Sequence, residues 1–271
     1  MIYLLRRRNL GKGSCNAIVA SSTTGIGVFR SDLYYPPEAD LVFRWGCTAP
    51  VRATSILNKV EAIHVVSDKL EFRKVLDTQG LCPKTWFQEE DVKFPAVVRP
   101  RTHHQGRRLW VCQDRPSLRA AISRCAEDFY ASELINKTAE YRVFVVSGRV
   151  ACVARKFPAN PDAVAWNVYQ GGRFENVRWD DWPLPVIKVA VRAFLLSGLD
   201  FGGVDIMVLG PKAYVLEINS APSLTSPYRQ RCFTKAFDWI VQKGKGSLPL
   251  GTRENYRKYI HPAIIERISD E

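Results

Sequence analysis

The most informative pattern along the chain is a pair of apolar, β-branched runs separated by a short turn. The first run is Gly202–Val208 and the second is Ala213–Ser220, with Gly210 and Pro211 between them. Apolar runs of this length are typical of buried strands, and a glycine–proline pair is typical of a turn. The pattern therefore predicts an antiparallel hairpin.

Oxygen-bearing side chains interrupt both strands of this hairpin. Glu217 and Asn219 share a face, because side chains alternate along a strand. A three-residue loop would pair Leu209 with Ala213. That register sets Asp205 opposite Glu217, whereas a two-residue loop turns Asp205 to the other face. We favour the three-residue loop, since it gathers a set of oxygen ligands that suits Mg²⁺. The alternative is a pair of ordinary strand-end charges.

The rest of the periodicity predicts alternating strands and helices. Strands are expected at 2–5, 40–46, 94–100, 109–112 and 130–136, and a second hairpin at 141–146 and 149–156. Helices are expected from Ser14 and at 67–76, 116–127, 185–196, 229–242 and 262–268, with Ser67 as the cap of the second. The first third of the chain therefore has the pattern of a small α/β unit.

Composition narrows the class of protein. The chain has 271 residues, 46% of them hydrophobic, and a net charge of +12, which favours an anionic partner such as a nucleotide, a nucleic acid or an acidic polypeptide. No apolar run approaches the roughly 18 residues that span a membrane. The apolar start precedes its arginines, the reverse of a signal peptide, so we expect a cytoplasmic protein. Seven scattered cysteines without a Cys-x-x-Cys pair argue against a disulfide framework or a zinc site.

Cations stand at the ends of several predicted strands. Arg99 ends one strand, and Arg142 and Arg155 stand at the ends of the second hairpin. Arginine binds phosphate oxygens in a bidentate fashion, so these residues are candidate phosphate ligands, with surface charges as the alternative. The polar loop 101–108 after Arg99 has the pattern of a flexible phosphate cover, or of a solvated hairpin tip. Its two histidines, His103 and His104, are interpreted as loop residues.

Taken in order, these motifs resemble the ATP-grasp superfamily of carboxylate–amine and carboxylate–thiol ligases. The similarity is greatest to the branch of ribosomal-protein glutamate ligases and covers about residues 65–230. The motifs that carry it are Ser67-Asp68-Lys69, Gly80-Leu81-Cys82-Pro83-Lys84-Thr85, Val97-Val98-Arg99-Pro100, Ser132-Glu133-Leu134-Ile135, Glu140-Tyr141-Arg142-Val143-Phe144, Val204-Asp205-Ile206 and Leu216-Glu217-Ile218-Asn219-Ser220-Ala221-Pro222. The last pair, similar to the metal signature of the family, is the most specific.

The resemblance implies an α+β fold in which two subdomains clasp ATP. It divides the chain into an N-terminal α/β domain at 1–64, a lid subdomain at 65–132 and a catalytic subdomain with a basic tail at 133–271. Within that frame, phosphates would meet Lys69, Arg99, Gly106 and Arg107, and the nucleoside would meet Glu133, Leu134 and Ile135. Mg²⁺, or Mn²⁺ in its place, would be held by Asp205, Glu217 and Asn219. Arg142 and Arg155 would stabilise the transferred phosphate, and Asn167 would contact the intermediate or the metal.

The implied reaction joins a carboxylate to an amine through an acyl phosphate. The substrates are small molecules or peptides that the sequence does not specify, although the positive charge favours an acidic polypeptide. Two departures from the family favour an alternative, a nucleotide-binding module without turnover. Arg99 stands in place of the usual lysine, and the cover loop has the single glycine Gly106. A nucleic-acid-binding protein is the third hypothesis, but no zinc finger, recognition helix or aromatic platform supports it.

Overall fold

A computed structural model describes residues 1–33, 35–103, 108–160, 163–166, 171–245 and 259–264 of the chain. These residues form three β-sheets with helices packed against them, so the predicted α+β class is confirmed. No helix among them is long and apolar enough to cross a membrane.

The N-terminal unit is a parallel sheet with three helices after or between its strands. Its elements are β1 (Ile2–Arg6), α1 (Lys12–Ser21), β2 (Gly27–Arg30), β3 (Ala39–Arg44), β4 (Ala53–Leu57), α2 (Val60–Ser67) and α3 (Lys69–Thr78). The strand order is β2-β1-β3-β4, all parallel. The two strands predicted from sequence are the central ones. The two that were missed are edge strands, which are more exposed and carry no continuous apolar run.

The predicted cap of α3 is wrong by one residue. Ser67 is the last residue of α2, and its hydroxyl donates to the Ile63 carbonyl of that helix. Asp68 caps α3 instead, because its carboxylate accepts from the Glu71 N–H. Only Asp68 separates α2 from α3, so Ser67 belongs to the last turn of α2 and its hydroxyl bonds within that helix.

The second unit is an antiparallel sheet with its own small core. It contains β5 (Thr85–Trp86), β6 (Ala96–Pro100), β7 (Trp110–Cys112), α4 (Arg115–Cys125) and β8 (Phe129–Glu133), with strand order β5-β8-β6-β7. Buried side chains of α4, such as Leu118, pack on Ala96 and Val98 of β6 as a cluster separate from the main core. A self-contained core of this kind suits the lid subdomain that the resemblance implies.

The third unit is a five-stranded antiparallel sheet covered by two helices. It contains β9 (Ala139–Val146), β10 (Arg149–Phe157), β11 (Arg173–Val177), α5 (Leu184–Ser197), β12 (Phe201–Leu209), β13 (Lys212–Asn219) and α6 (Pro227–Lys243). The strand order is β11-β10-β9-β12-β13. A 3-10 turn, Trp179–Asp181, precedes α5. Both predicted hairpins are confirmed as β9–β10 and β12–β13, and β11 is an edge strand that the sequence pattern did not indicate.

The first and third units share one hydrophobic core. Phe43 of β3 stacks on Phe237 of α6 with ring centroids 4.3 Å apart, and Trp45 lies against Phe201 of β12. Polar contacts reinforce this packing at Asn58, which is fully buried with φ +60°. Its side-chain oxygen accepts from the N–H groups of Asp200 and Phe201, and its own N–H donates to the Asp200 carboxylate. The N-terminal sheet is therefore fixed to the start of β12. The three-domain division stays a prediction.

The loop of the last hairpin differs from our expectation, but the side-chain placement does not. Leu209 pairs with Lys212, so the loop has two residues rather than three. A β-bulge then shifts the register between Asp205 and Ile206, and Asp205 pairs with Glu217. An extra residue in one strand shifts the register by one. This shift restores the pairing of Asp205 with Glu217, which a two-residue loop alone would remove. Asp205 and Glu217 face each other, as predicted.

Candidate active site

The candidate site is a cleft of about 1020 Å³ between the second and third sheets. Its lining includes residues of β6, β8, β9, β12 and β13. Among the described residues, the charged side chains around it are seven cations (Lys69, Arg73, Arg99, Lys137, Arg142, Lys156, Arg173) and four carboxylates (Glu133, Glu140, Asp205, Glu217). The excess of positive charge suits a polyanionic ligand such as a triphosphate.

Arg142 and Asp205 form the central ion pair of the cleft. They lie opposite each other on β9 and β12, and the Arg142 Nε and Nη2 atoms each donate to one Asp205 oxygen at 2.6 Å. Burial lowers the pKa of Arg142, but the Asp205 carboxylate outweighs this and raises that pKa. A buried bidentate pair fixes both groups in one orientation.

A second buried group lies beside this pair. Lys156 is 2.9 Å from a Glu140 oxygen and 3.8 Å from Asp205, and all three are almost fully buried. Burial lowers the pKa of Lys156, but the two carboxylates raise it, so the ammonium stays charged. Lys137 contacts the other oxygen of Glu140 at 2.5 Å. Glu140 thus binds Lys137 and Lys156 through its two oxygens and fixes their positions in the wall of the cleft.

The prediction for Arg155 is corrected by this arrangement. Arg155 is exposed and pairs with Tyr141 and Glu175, whereas its neighbour Lys156 pairs with Glu140 in the cleft. Adjacent residues of a strand point to opposite faces, so only one of the two basic residues faces the site. The guanidinium of Arg155 lies over the Phe157 ring instead. Lys156 takes the place that we assigned to Arg155.

Glu217 is held by groups from two elements. The Lys69 ammonium at the start of α3 is 2.7 Å from one oxygen, and the Asn219 amide donates to the other at 3.2 Å. Burial would raise the pKa of Glu217, but Lys69, with help from Arg142, lowers it well below its usual range. The carboxylate is therefore ionised at every physiological pH.

These side chains fit the Mg²⁺ that the resemblance implies. Asp205 and Glu217 face each other, and an amide that donates through its nitrogen to Glu217 keeps its oxygen available. Each ionised carboxylate has about four acceptor positions, so the cation contacts do not exhaust them. Within the described ranges, no three His, Cys, Asp or Glu side chains converge as a metal site. Two carboxylates and an amide suit a Mg²⁺ ion that keeps waters and binds phosphates.

The strand β6 places Arg99 in the cleft, as predicted. Burial, together with the nearby Arg73, lowers the pKa of Arg99. Arg99 pairs in register with Tyr130 of β8, and the Tyr130 hydroxyl lies 2.8 Å from His103 Nε2. Burial and the cations Lys69 and Arg99 lower the pKa of His103 to about 2, so this imidazole is neutral. His103 is a loop residue, as predicted, and it also lines the cleft.

The predicted nucleoside contacts lie at the other end of the cleft. Glu133, Leu134 and Ile135 all line it at the end of β8. The Leu134 N–H donates to the Pro95 carbonyl, and the Ile135 carbonyl accepts from the Lys137 N–H. This segment joins the second sheet to the third.

Several predicted residues lie outside the described residues, and their placement stays a prediction. These are Gly106, Arg107 and His104 of the cover loop, Asn167, the basic stretch 256–258 and the end of the last predicted helix. Other cleft residues were missed in the sequence: Arg73, Tyr130, Lys137, Lys156 and Phe174. Lys156 follows the predicted Arg155 on β10, so alternation gave a pair of candidates without deciding between them. Arg73 lies one helical turn after the predicted Lys69, and no comparable signal marked the other three residues.

Comparison with known proteins decides the family. Residues 56–235, more than half of the chain, match the model described as the RimK-like ATP-grasp domain. The chain belongs to this family. The matched range begins near the end of β4, ends within α6 and contains every described cleft-lining residue except Leu10. The RimK-like region is thus the part that forms the site.

Named relatives agree with this assignment. A probable alpha-L-glutamate ligase of Aeromonas salmonicida is 28% identical over 187 residues, covering 63% of this chain and 61% of the relative. One of Alkalilimnicola ehrlichii is 28% identical over 190 residues, covering 64% and 62%. The chain therefore spans about three-fifths of the length of these relatives.

Solved structures establish the ATP-grasp fold. The ATP-grasp ligase PsnB in complex with a minimal precursor, Mg and ADP superposes with a TM-score of 0.64 at 15% identity, covering 90% of this chain and 97% of PsnB. A D-alanine--D-alanine ligase from Bacillus anthracis gives 0.60 at 14% identity, covering 90% and 99%. The fold implied by the sequence motifs is confirmed.

Proposed function

We propose that this chain is an ATP-dependent carboxylate–amine ligase that forms an amide bond through an acyl phosphate. The observation that carries the proposal is the meeting of Asp205, Glu217 and Asn219 in a cation-lined cleft of a RimK-like ATP-grasp domain. Such a cleft offers what phosphoryl transfer requires, namely positioning and electrostatic stabilisation without a side-chain nucleophile.

ATP lies along the cleft in this proposal. Its adenine and ribose occupy the end formed by Glu133, Leu134 and Ile135, and its phosphates occupy the end where Lys69 and Arg99 lie. The dimensions agree, since a cleft of about 1020 Å³ holds a nucleotide and leaves room for a second substrate. The second sheet carries Arg99, and the loop after β6 carries His103, so this unit covers the phosphates from one side.

Mg²⁺, when bound by Asp205, Glu217 and Asn219, supplies charge neutralisation at the phosphate oxygens. The cations of the chain act alongside it. Arg142 is held by Asp205, and Lys156 is held by Glu140, so both keep fixed positions while charge develops on the transferred phosphoryl group. Fixed charges need no reorganisation during the reaction, which is why they stabilise the transition state.

The reaction balances in two steps. A substrate carboxylate oxygen attacks the γ-phosphorus, and the bond from that phosphorus to the β–γ bridging oxygen breaks to release ADP. An amine nitrogen then attacks the acyl carbon, a proton leaves the nitrogen and inorganic phosphate departs. The chain's part is to hold the three reactants in line and to stabilise negative charge.

The names of similar proteins suggest the substrates. The relatives are named probable alpha-L-glutamate ligases, and PsnB was solved with a precursor peptide. We infer that glutamate is one substrate and that the other is an amino acid or peptide. An acidic polypeptide acceptor and a cytoplasmic location stay predictions.

Release of ADP, measured in the presence of Mg²⁺ and a panel of amino acids and short peptides, tests this function. We expect release that depends on both a carboxylate and an amine, with an amide product visible by mass spectrometry. Asp205→Ala and Glu217→Ala should abolish it, while Asp180→Asn at an exposed ion pair should not. Full turnover in the first two variants would contradict the metal assignment.

A nucleotide-binding module without turnover is the second candidate. Both Asp205 oxygens contact Arg142, and an arginine, Arg99, stands where the family has lysine. Tight ATP binding in calorimetry, without ADP release for any tested substrate pair, would favour this candidate over the ligase.

A further inference from the structure

The register that brings Asp205 and Glu217 together depends on one extra residue. If the pairing of Leu209 with Lys212 continued without interruption, Asp205 would lie opposite Leu216 and Glu217 would point away from the cleft. The bulge at Leu216 prevents this. As a result Leu216 and Glu217, although adjacent, both line the cleft. The geometry of the two carboxylates is therefore decided at this bulge.

Arg73 of α3 holds the bulge from outside the sheet. Its Nη1 donates to the Val215 carbonyl at 3.1 Å, and its Nη2 donates to the Leu216 carbonyl at 2.6 Å. A bulge leaves a residue unpaired in the ladder, so its backbone groups need partners from elsewhere. Arg73 is only 4% exposed, and its planar fork supplies two donors in fixed directions.

The same helix face controls the neighbouring carboxylate. Lys69 and Arg73 are four residues apart on α3 and lie on one side of it. Lys69 contacts the Glu217 carboxylate, while Arg73 contacts the two carbonyls that precede this residue. One helix therefore fixes both the backbone and the side chain at this point of β13.

Arg73 is itself held in place by the second sheet. Its guanidinium lies over the Tyr130 ring of β8, 5.5 Å from the centroid, and the Tyr130 hydroxyl contacts His103. The three side chains thus connect the sheet that carries Arg99 with the hairpin that carries Asp205 and Glu217.

We infer that Arg73 is a positioning residue, which holds the Leu216 bulge in the register that turns Glu217 toward Asp205. The inference rests on the proposed function in one respect, the binding of a divalent ion by these two carboxylates. Arg73 acts on the metal through the backbone of β13.

Binding of Mn²⁺ with ADP, measured by electron paramagnetic resonance, tests the inference in the full chain. Arg73→Met removes both donors and keeps the side-chain length. Arg73→Lys keeps a donor but loses the fork, and Lys74→Met is the control, since Lys74 is the next residue of α3 and is exposed. We expect the Mn²⁺ affinity to fall about 10- to 100-fold in Arg73→Met, less in Arg73→Lys and not in Lys74→Met.

Amide hydrogen exchange over residues 212–219 separates positioning from general stability. We expect faster exchange in this segment of Arg73→Met than in the rest of its sheet. Wild-type Mn²⁺ affinity in Arg73→Met would overturn the inference. So would a rise of hydrogen exchange that is uniform over the chain in Arg73→Met and equally large in Arg73→Lys. Neither measurement requires turnover. A wild-type chain that binds Mn²⁺ with ADP but forms no amide would therefore refute the proposed function and leave the inference about Arg73 intact.

Discussion

Lys156 and Arg155 are neighbours on β10, yet they lie on opposite faces of the sheet. Lys156 is 6% exposed and contacts Glu140 in the cleft, whereas Arg155 faces solvent. The two side chains carry the same charge but differ in direction and in burial. This difference makes them a matched pair for testing which face carries the chemistry.

We expect Lys156→Met to lower kcat for ADP release by about 100-fold, because a fixed charge at the transferred phosphate is lost. Arg155→Met should change it by about twofold at most, as surface substitutions generally do. Steady-state kinetics with saturating ATP measures both. Equal losses in the two variants would mean that the site extends to the opposite face.

Asp205→Asn should affect both activity and stability. The asparagine keeps the shape of the side chain but removes a ligand charge, so Mg²⁺-dependent ADP release should fall about 100-fold. Removing one partner of a buried ion pair leaves Arg142 uncompensated, which costs about 3–5 kcal/mol of unfolding free energy. Urea denaturation checks the second effect. Asp180→Asn, at an exposed ion pair, is the control.

The buried His261 predicts a pH dependence of stability. Burial and the nearby Arg149 lower the pKa of His261 to about 3, and its Nδ1 accepts from the Ala263 N–H, so the folded chain holds it neutral. The unfolded chain takes up a proton below about pH 6.5. This contribution to stability is therefore complete above pH 6.5 and is lost as the pH falls toward 3.

The expected loss is about 1.4 kcal/mol per pH unit from this residue. Urea denaturation between about pH 6.5 and 4.5 should show a slope of unfolding free energy against pH that is smaller by about this amount in His261→Gln than in the wild type. His64→Gln, at an exposed position of α2, should keep the wild-type slope. An unchanged slope in His261→Gln would show that the imidazole is not held neutral.

Asn58 should be essential for attaching the N-terminal sheet. Asn58→Ala leaves the Asp200 and Phe201 N–H groups without their acceptor in a buried place, which we expect to cost about 3 kcal/mol of unfolding free energy. Asn58→Asp should cost at least as much, because its buried carboxylate would lie beside Asp200 and would face the Phe201 carbonyl to which the amide donates. Urea denaturation compares them, and equal midpoints for Asn58→Ala and wild type would contradict the account.

The strands that carry the site were predictable because apolar runs mark buried strands. The hairpin β12–β13 followed from its two runs, and strand alternation placed Glu217 and Asn219 on one face. The bulge at Leu216 was not predictable, since it depends on Arg73, a residue more than 140 positions earlier. Here an incorrect loop length and an unforeseen bulge cancelled, so the pairing of Asp205 with Glu217 was right for an incomplete reason.

Other features depended on tertiary contacts that a single sequence does not contain. Edge strands such as Gly27–Arg30 have no continuous apolar run, so nothing marks them. The choice between Arg155 and Lys156 required knowing which face of β10 meets the cleft. The position of His103 in the cleft depends on its contact with Tyr130 of β8, which the sequence around His103 does not indicate.

The transfer of isotope from substrate to phosphate tests the central claim most directly. Glutamate or a short peptide, labelled with ¹⁸O in its carboxylates, is incubated with the chain, ATP, Mg²⁺ and a candidate amine, and the released phosphate is observed by ³¹P NMR. An acyl phosphate requires one labelled oxygen to pass into each phosphate that accompanies an amide bond. Amide formation with unlabelled phosphate would contradict the mechanism, and phosphate release without amide across the whole panel would contradict the ligase.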